Sequence, residues 1–159
     1  MSKKKFTILR DDREKPDHRW TFGRSNPCKK CRLETGDYTL EGYEDILAIE
    51  RKKDVAELHG NLNKKNWPRF QAELERMHEI KHAYILFEFS YEDVSKYPFN
   101  LPYYVRKRIR IRGGYLHNRI RKIEEEYDVK IIFCGNREQA ISVAWEIMEE
   151  VAKTEEPSE

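Results

Sequence analysis

The chain lacks any apolar run long enough to span a membrane, which excludes proteins built on membrane-crossing helices. It shows no signal-like start either. Met1-Ser2-Lys3-Lys4-Lys5 leads straight into a strand-like segment, so no secretory leader is expected. Cysteine is scarce, three in 159 residues; the odd count argues against a disulfide framework and for a reducing, cytoplasmic compartment. A dominant charge sign is missing as well. The net charge is only +2, so bulk charge does not announce a nucleic-acid binder and any basic surface has to be local. No internal repeat is visible. With 38% hydrophobic and 38% charged residues, the composition is that of a soluble, highly charged globular chain rather than a disordered one. The length suits one domain over residues 5–152, with disordered flanks expected at 1–4 and 153–159.

The most informative stretch runs from Gly36 to Lys52. It reads as strand (Asp37-Tyr38-Thr39-Leu40), turn (41–45) and strand (Ile46-Leu47-Ala48-Ile49), ending on Glu50, Arg51 and Lys52. Side chains alternate along a strand, so Glu50 and Lys52 emerge on one face and Arg51 on the other. An acid beside one strand and Glu-x-Lys at the end of the next form a nuclease layout. Asp37 and Glu50 can share a hard divalent cation, and Lys52 can orient or help deprotonate an attacking water. A strand whose charged end simply meets solvent is the bland alternative.

The remaining elements alternate between strand and helix patterns. Phe6–Asp11 reads as a strand entering the polar knot Asp12-Arg13-Glu14-Lys15, and residues 16–35 read as irregular. Within them Cys28-Lys29-Lys30-Cys31 has a spacing that zinc sites use, with His18 the only nearby histidine. Four ligands are not assembled, so two free thiols in a loop is the favoured reading. Asp54 caps a helix, with Glu57 in capping-box position, and a second helix starts at Asn66-Trp67-Pro68 with the stripe Trp67, Phe70, Leu74, Met77. Residues 83–89 form an apolar strand interrupted by Glu88, which sits at the strand end or faces a polar site. Residues 90–104 are rich in aromatics that either pack on the body, the commoner arrangement, or stack on unpaired bases. Arg106, Lys107, Arg108, Arg110, Arg112 and Arg119 follow with no acid among them, which favours phosphate contact over a merely solvated face. A helix over 115–127, a strand over 129–134 and a helix opening at Asn136 complete the chain. The expected architecture is α/β: a three-strand antiparallel start, then parallel strands, in a mixed central sheet flanked by helices on both faces.

Several segments taken together resemble the nuclease domain of the XPF/Mus structure-specific endonucleases, a branch of the restriction-endonuclease-like superfamily. Asp11-Asp12-Arg13-Glu14 matches that family's D-x-R-E, Gly36-Asp37 its Gly-Asp, and Glu50-Arg51-Lys52 its E-R-K. Glu57-Leu58, Ile85-Leu86-Phe87-Glu88 and Asn136-Arg137-Glu138-Gln139-Ala140 match its following segments, so the likeness covers roughly residues 5 to 152. One departure falls after E-R-K, where Ala56 stands in place of the usual acid; Asp54 and Glu57 flank that position. Another is the absence of the tandem helix-hairpin-helix module, which makes the chain similar to compact stand-alone phage and prokaryotic members.

The resemblance implies a DNA endonuclease acting on branched or flapped substrates. Asp37 and Glu50, with Asp11, would hold Mg²⁺ or Mn²⁺; Lys52 would position water, Glu14 would be an outer or second-metal carboxylate, and Arg51 would brace the site. It implies DNA as partner, a homodimer or heterodimer, no membrane and no small-molecule cofactor. The competing expectation is a non-catalytic DNA-binding or scaffold subunit. Such partners typically lose the acids and the lysine, all of which are present here.

Overall fold

The computed structural model describes residues 5–158. Its six strands are β1 (Ile8–Asp11), β2 (Cys28–Cys31), β3 (Tyr38–Leu40), β4 (Leu47–Lys52), β5 (His82–Phe87) and β6 (Lys130–Phe133). They form one sheet in the order β2-β1-β3-β4-β5-β6. β3 runs antiparallel to both β1 and β4, as the turn-linked apolar runs imply, whereas β4, β5 and β6 are parallel. The fold is therefore α/β with a mixed sheet. Six helices accompany it: α1 (Val55–Leu62), α2 (Trp67–His78), α3 (Tyr91–Lys96), α4 (Tyr103–Arg106), α5 (Gly113–Tyr127) and α6 (Arg137–Thr154).

Helix starts follow local chemistry. The Asp54 carboxylate accepts the Glu57 N–H at 2.8 Å and the Asn136 side chain accepts the Gln139 N–H at 2.8 Å, so α1 and α6 each begin on a capped donor. The apolar stripes then fill two cores. Leu58, Phe70, Leu74, Leu116 and Ile120 cover one face of the sheet; Ala144 and Met148 of α6, with Trp20, cover the other. Because β5 is buried on both sides, Ile85 and Phe87 enter the first core and Leu86 the second, in the two-residue alternation of a central strand.

The structure corrects four boundaries. Residues 28–31 form an edge strand parallel to β1 instead of a loop. Residues 90–104 contain α3, which begins on a Ser90–Asp93 capping box, and α4. α5 starts at Gly113 rather than Tyr115. The expected disordered tail is partly fixed: α6 continues to Thr154, Glu155 pairs with Lys81 and with His82 at 3.0 Å, and Ser158 N–H donates to the Gly42 carbonyl. Residues 1–4 lie outside the described residues.

Two glycines give opposite predictions. Gly36 has φ +78°, and a Cβ there would stand 3.1 Å from both the backbone N and O of Ile49. Gly36→Ala is expected to cost about 1–3 kcal/mol in urea unfolding. Gly60 lies inside α1 with nothing within 4 Å of an added Cβ, so Gly60→Ala should stabilise by about 0.5–1 kcal/mol.

Candidate active site

The sheet ladder itself assembles the acids. Asp11 N–H donates to the Asp37 carbonyl at 2.8 Å, and Asp37 N–H donates to the Ile49 carbonyl at 2.8 Å. Residues at the ends of β1, β3 and β4 are thus held side by side by backbone bonds alone. Only glycine fits the close, left-handed approach at position 36, which explains a Gly-Asp pair there. Asp11, Asp37, Glu50 and Lys52 all line one open cavity of about 420 Å³.

Within it, Asp37 and Glu50 face each other closely enough to hydrogen bond. Burial pushes the Asp37 carboxyl up to about 7; the Glu14 charge adds to this, against a 2.8 Å bond from the Arg51 N–H and the nearby Lys52 charge. Burial, then the charge of Asp37, pushes Glu50 well above the usual carboxylate range. Lys52 Nζ stands 3.6 Å from Glu50 Oε1 and 4.8 Å from the centre of the Phe70 ring. Two adjoining shielded carboxyls offer the oxygen donors that a hard cation prefers. Mg²⁺ in particular is bound through one or two carboxylates while keeping several waters.

Asp11 is placed differently from that pair. Its carboxylate accepts the Leu33 N–H at 2.9 Å and the Arg13 Nε at 2.8 Å, so its oxygens are committed to holding the turn after β1. No cluster of three or more His, Cys, Asp or Glu residues suited to a metal occurs among the described residues. Of the cavity's carboxylates, Asp37 and Glu50 are the facing pair; Asp11 and Glu73 accept backbone N–H groups, from Leu33 and Gly36.

Arg51 leaves the opposite face of β4 and is buried. Its Nε meets Glu14 Oε2 at 3.2 Å and its Nη1 meets Glu88 Oε2 at 3.3 Å, with the three side chains 3%, 9% and 7% exposed. Trp20 Nε1 donates to the same Glu88 oxygen at 2.8 Å, and Trp20 stacks on Tyr38 at 4.8 Å. Glu14 and Arg51 thus support the site from behind the sheet and do not line the cavity.

Other expected residues lie apart. In the extended backbone of β2 residues three apart point to opposite faces, so Cys28 and Cys31 do not converge. The zinc expectation for Cys28, Cys31 and His18 finds no ligand cluster among the described residues. Arg106, Lys107, Arg110 and Arg112 line a second cleft, Arg108 is exposed beside it, and Arg119 lies over Trp67 at 4.6 Å.

Residues on α2 belong to the site although its apolar stripe gave no hint of them. Glu73 Oε1 accepts the Gly36 N–H at 2.8 Å, Arg76 pairs with Glu73, and Asn66, Arg69, Glu73 and Arg76 all face the cavity. Their spacing of three, four and three is itself a helical face, readable beside the apolar one.

This sheet, with its row of acids at adjacent strand ends, is a restriction-endonuclease-like fold. The ERCC4 domain profile matches residues 10–144, so the chain belongs to the ERCC4-domain family, a family of DNA endonucleases. Among solved structures it is similar to XPF from Aeropyrum pernix, with TM-score 0.59 and 16% identity over 92% of this chain and 63% of that one. It is also similar to XPF from Aeropyrum pernix in complex with DNA, with TM-score 0.64 and 16% identity over 94% of this chain and 66% of that one. The chain thus spans about two thirds of that protein. No curated protein matches. Among the described residues no helix is long and apolar enough to cross a membrane.

Two predictions follow the electrostatics. Unfolded, Asp37 titrates at its ordinary value; folded, it keeps its proton until about pH 7. Between those limits the folded state binds the extra proton, so its stability falls as pH rises. In metal-free protein at pH 8, Asp37→Asn should therefore raise stability, by about 1–3 kcal/mol after allowing for partial exposure, and have no such effect at pH 4. Arg51→Met strands two buried carboxylates and should destabilise by about 3–5 kcal/mol in urea unfolding.

Proposed function

We propose that this chain is a divalent-metal-dependent DNA endonuclease hydrolysing phosphodiester bonds, in branched or flapped DNA. The observation that carries the reading is the pair Asp37 and Glu50, face to face in an open cavity with Lys52 3.6 Å from Glu50. Burial raises both carboxyls, the Asp37 charge adds to it at Glu50, and the Lys52 ammonium is the nearby counter-charge to both. Asp37 and Glu50 would hold Mg²⁺ or Mn²⁺. Such an ion supplies neutralisation of the phosphoryl charge and acidifies water.

The chain's own groups do the rest. The Arg51 N–H donates to one oxygen of the Asp37 carboxylate and so orients a side chain that lines the cavity. The Lys52 ammonium, buried against Phe70, has donors for a water poised in line with the scissile phosphorus. Arg69 is exposed at the rim and forms no ion pair among the described residues, so it is free to meet a phosphate. Support for DNA as substrate comes from the family and from the likeness to an XPF that is complexed with DNA.

The test uses flap, fork, Holliday and single-stranded DNA, each with Mg²⁺ and with EDTA. Wild type should cut in Mg²⁺ only, while Asp37→Asn, Glu50→Gln and Lys52→Ala should each lose on the order of a thousandfold in rate and remain folded. Wild-type rates in any of the three, or cutting in EDTA, would overturn the assignment.

A further inference from the structure

Residues 98–112, which include the short helix α4, form an excursion closed at its stem and open at its surface. Tyr97 is buried, its carbonyl accepts the Gly113 N–H at 3.0 Å, and its hydroxyl meets His59 Nδ1 of α1 at 2.6 Å. From that stem the chain alternates in character. Ile109 and Ile111 pack against the core, whereas Arg108, Arg110 and Arg112 are exposed. Five of the seven residues 106–112 are cationic, and none forms an ion pair among the described residues. Beside them stand rings that a packed loop would have covered: Phe99 is 54% exposed, Tyr103 68% and Tyr104 69%. A cleft of about 460 Å³ runs between Phe99, Tyr103, Arg106, Lys107, Arg110 and Arg112. Its cations already lean on its rings. Arg112 lies over Phe99 at 5.0 Å, and Arg106 lies over Tyr103 at 5.7 Å.

Exposed rings interleaved with unpaired cations satisfy two demands at once, a flat apolar face and a neighbouring anion. We infer that this cleft is a subsite for an unpaired strand of DNA, whose bases stack on Phe99 and Tyr103 while its phosphates meet Arg106, Arg110 and Arg112. A duplex offers only phosphates, because its base faces are already stacked on each other; only an unpaired strand uses both halves of the cleft. The cleft is a separate cavity tied to the helices that flank the candidate active site. Its stem is tied through His59 to α1, and the α5 side chain Arg119 covers Trp67 at the start of α2, the helix that carries Arg69 and Phe70 into the acidic cavity. The assignment rests on the nuclease reading only for the nature of the substrate. It specifies where the non-duplex arm of a branched molecule lies.

The experiment measures binding without cleavage. Fluorescence anisotropy in EDTA would compare a labelled single-stranded oligonucleotide with a blunt duplex, for wild type, Phe99→Ala, Tyr103→Ala and Arg110→Ala. Each ring variant should weaken single-strand binding about tenfold and leave duplex binding within about twofold. Arg110→Ala should reduce the salt slope of single-strand binding by about 0.7. All three side chains sit at the surface, so unchanged thermal midpoints accompany these results. Ring variants that bind the single strand like wild type, or that lose duplex to the same extent, overturn the subsite. So does a cleft whose variants change only sedimentation, since it is then a protein-binding face. Wild type that binds selectively but cuts nothing in Mg²⁺ defeats the nuclease reading and leaves the subsite standing.

Discussion

Two carboxylates that the sheet forces together cannot both be charged unless something positive stands between them. That constraint organises the molecule. Backbone bonds from Asp11 to Asp37 and from Asp37 to Ile49 set the register, and Gly36 permits the approach by having no side chain. That register brings the side chains of Asp37 and Glu50 into one cavity. Lys52 offsets part of the repulsion, yet burial, with the Glu14 charge at Asp37 and the Asp37 charge at Glu50, still holds both carboxyls above their ordinary range. A fold that keeps such a pair stores unfavourable energy where a hard cation would release it.

The three residues Glu50, Arg51 and Lys52 divide their roles by strand parity. The two flanking side chains face the cavity, while the middle one turns into a buried polar network of Glu14, Glu88, Trp20 and Tyr38. That network holds the back of β4 in place, and the Arg51 N–H simultaneously orients Asp37 at the front. One residue therefore couples core integrity to the geometry of the site. Its buried charge also lowers the repulsion between Glu14 and Glu88, which no apolar residue could do.

Much of this was legible in the sequence because period-two alternation is a strong signal wherever a strand is apolar. Ile46 to Lys52 gave both the strand and the split between Arg51 and its neighbours. The mixed sheet followed from the order of apolar runs. β2 was not legible, since Cys-Lys-Lys-Cys lies at an edge and shows no two-residue alternation, although Cys28 packs against the core. α3 is too short to show a helical period, although its Ser90-x-x-Asp93 cap was there to be read. The commitment of Asp11 depends on the Leu33 N–H, twenty-two residues away, and no local pattern encodes such a partner. The role of Glu73 is likewise hidden locally: it lies on the polar face of α2, and its bond to the Gly36 N–H, thirty-seven residues away, exists only in the folded chain.

The central claim is that Asp37 and Glu50 jointly bind one divalent cation. Electron paramagnetic titration of Mn²⁺ at pH 8 reads this directly, without any nucleic acid present. The account predicts one bound Mn²⁺ per chain, lost in both Asp37→Asn and Glu50→Gln and weakened below pH 6 as the carboxyls take up protons. Undiminished Mn²⁺ binding in either variant, or none in the wild-type chain, would contradict it.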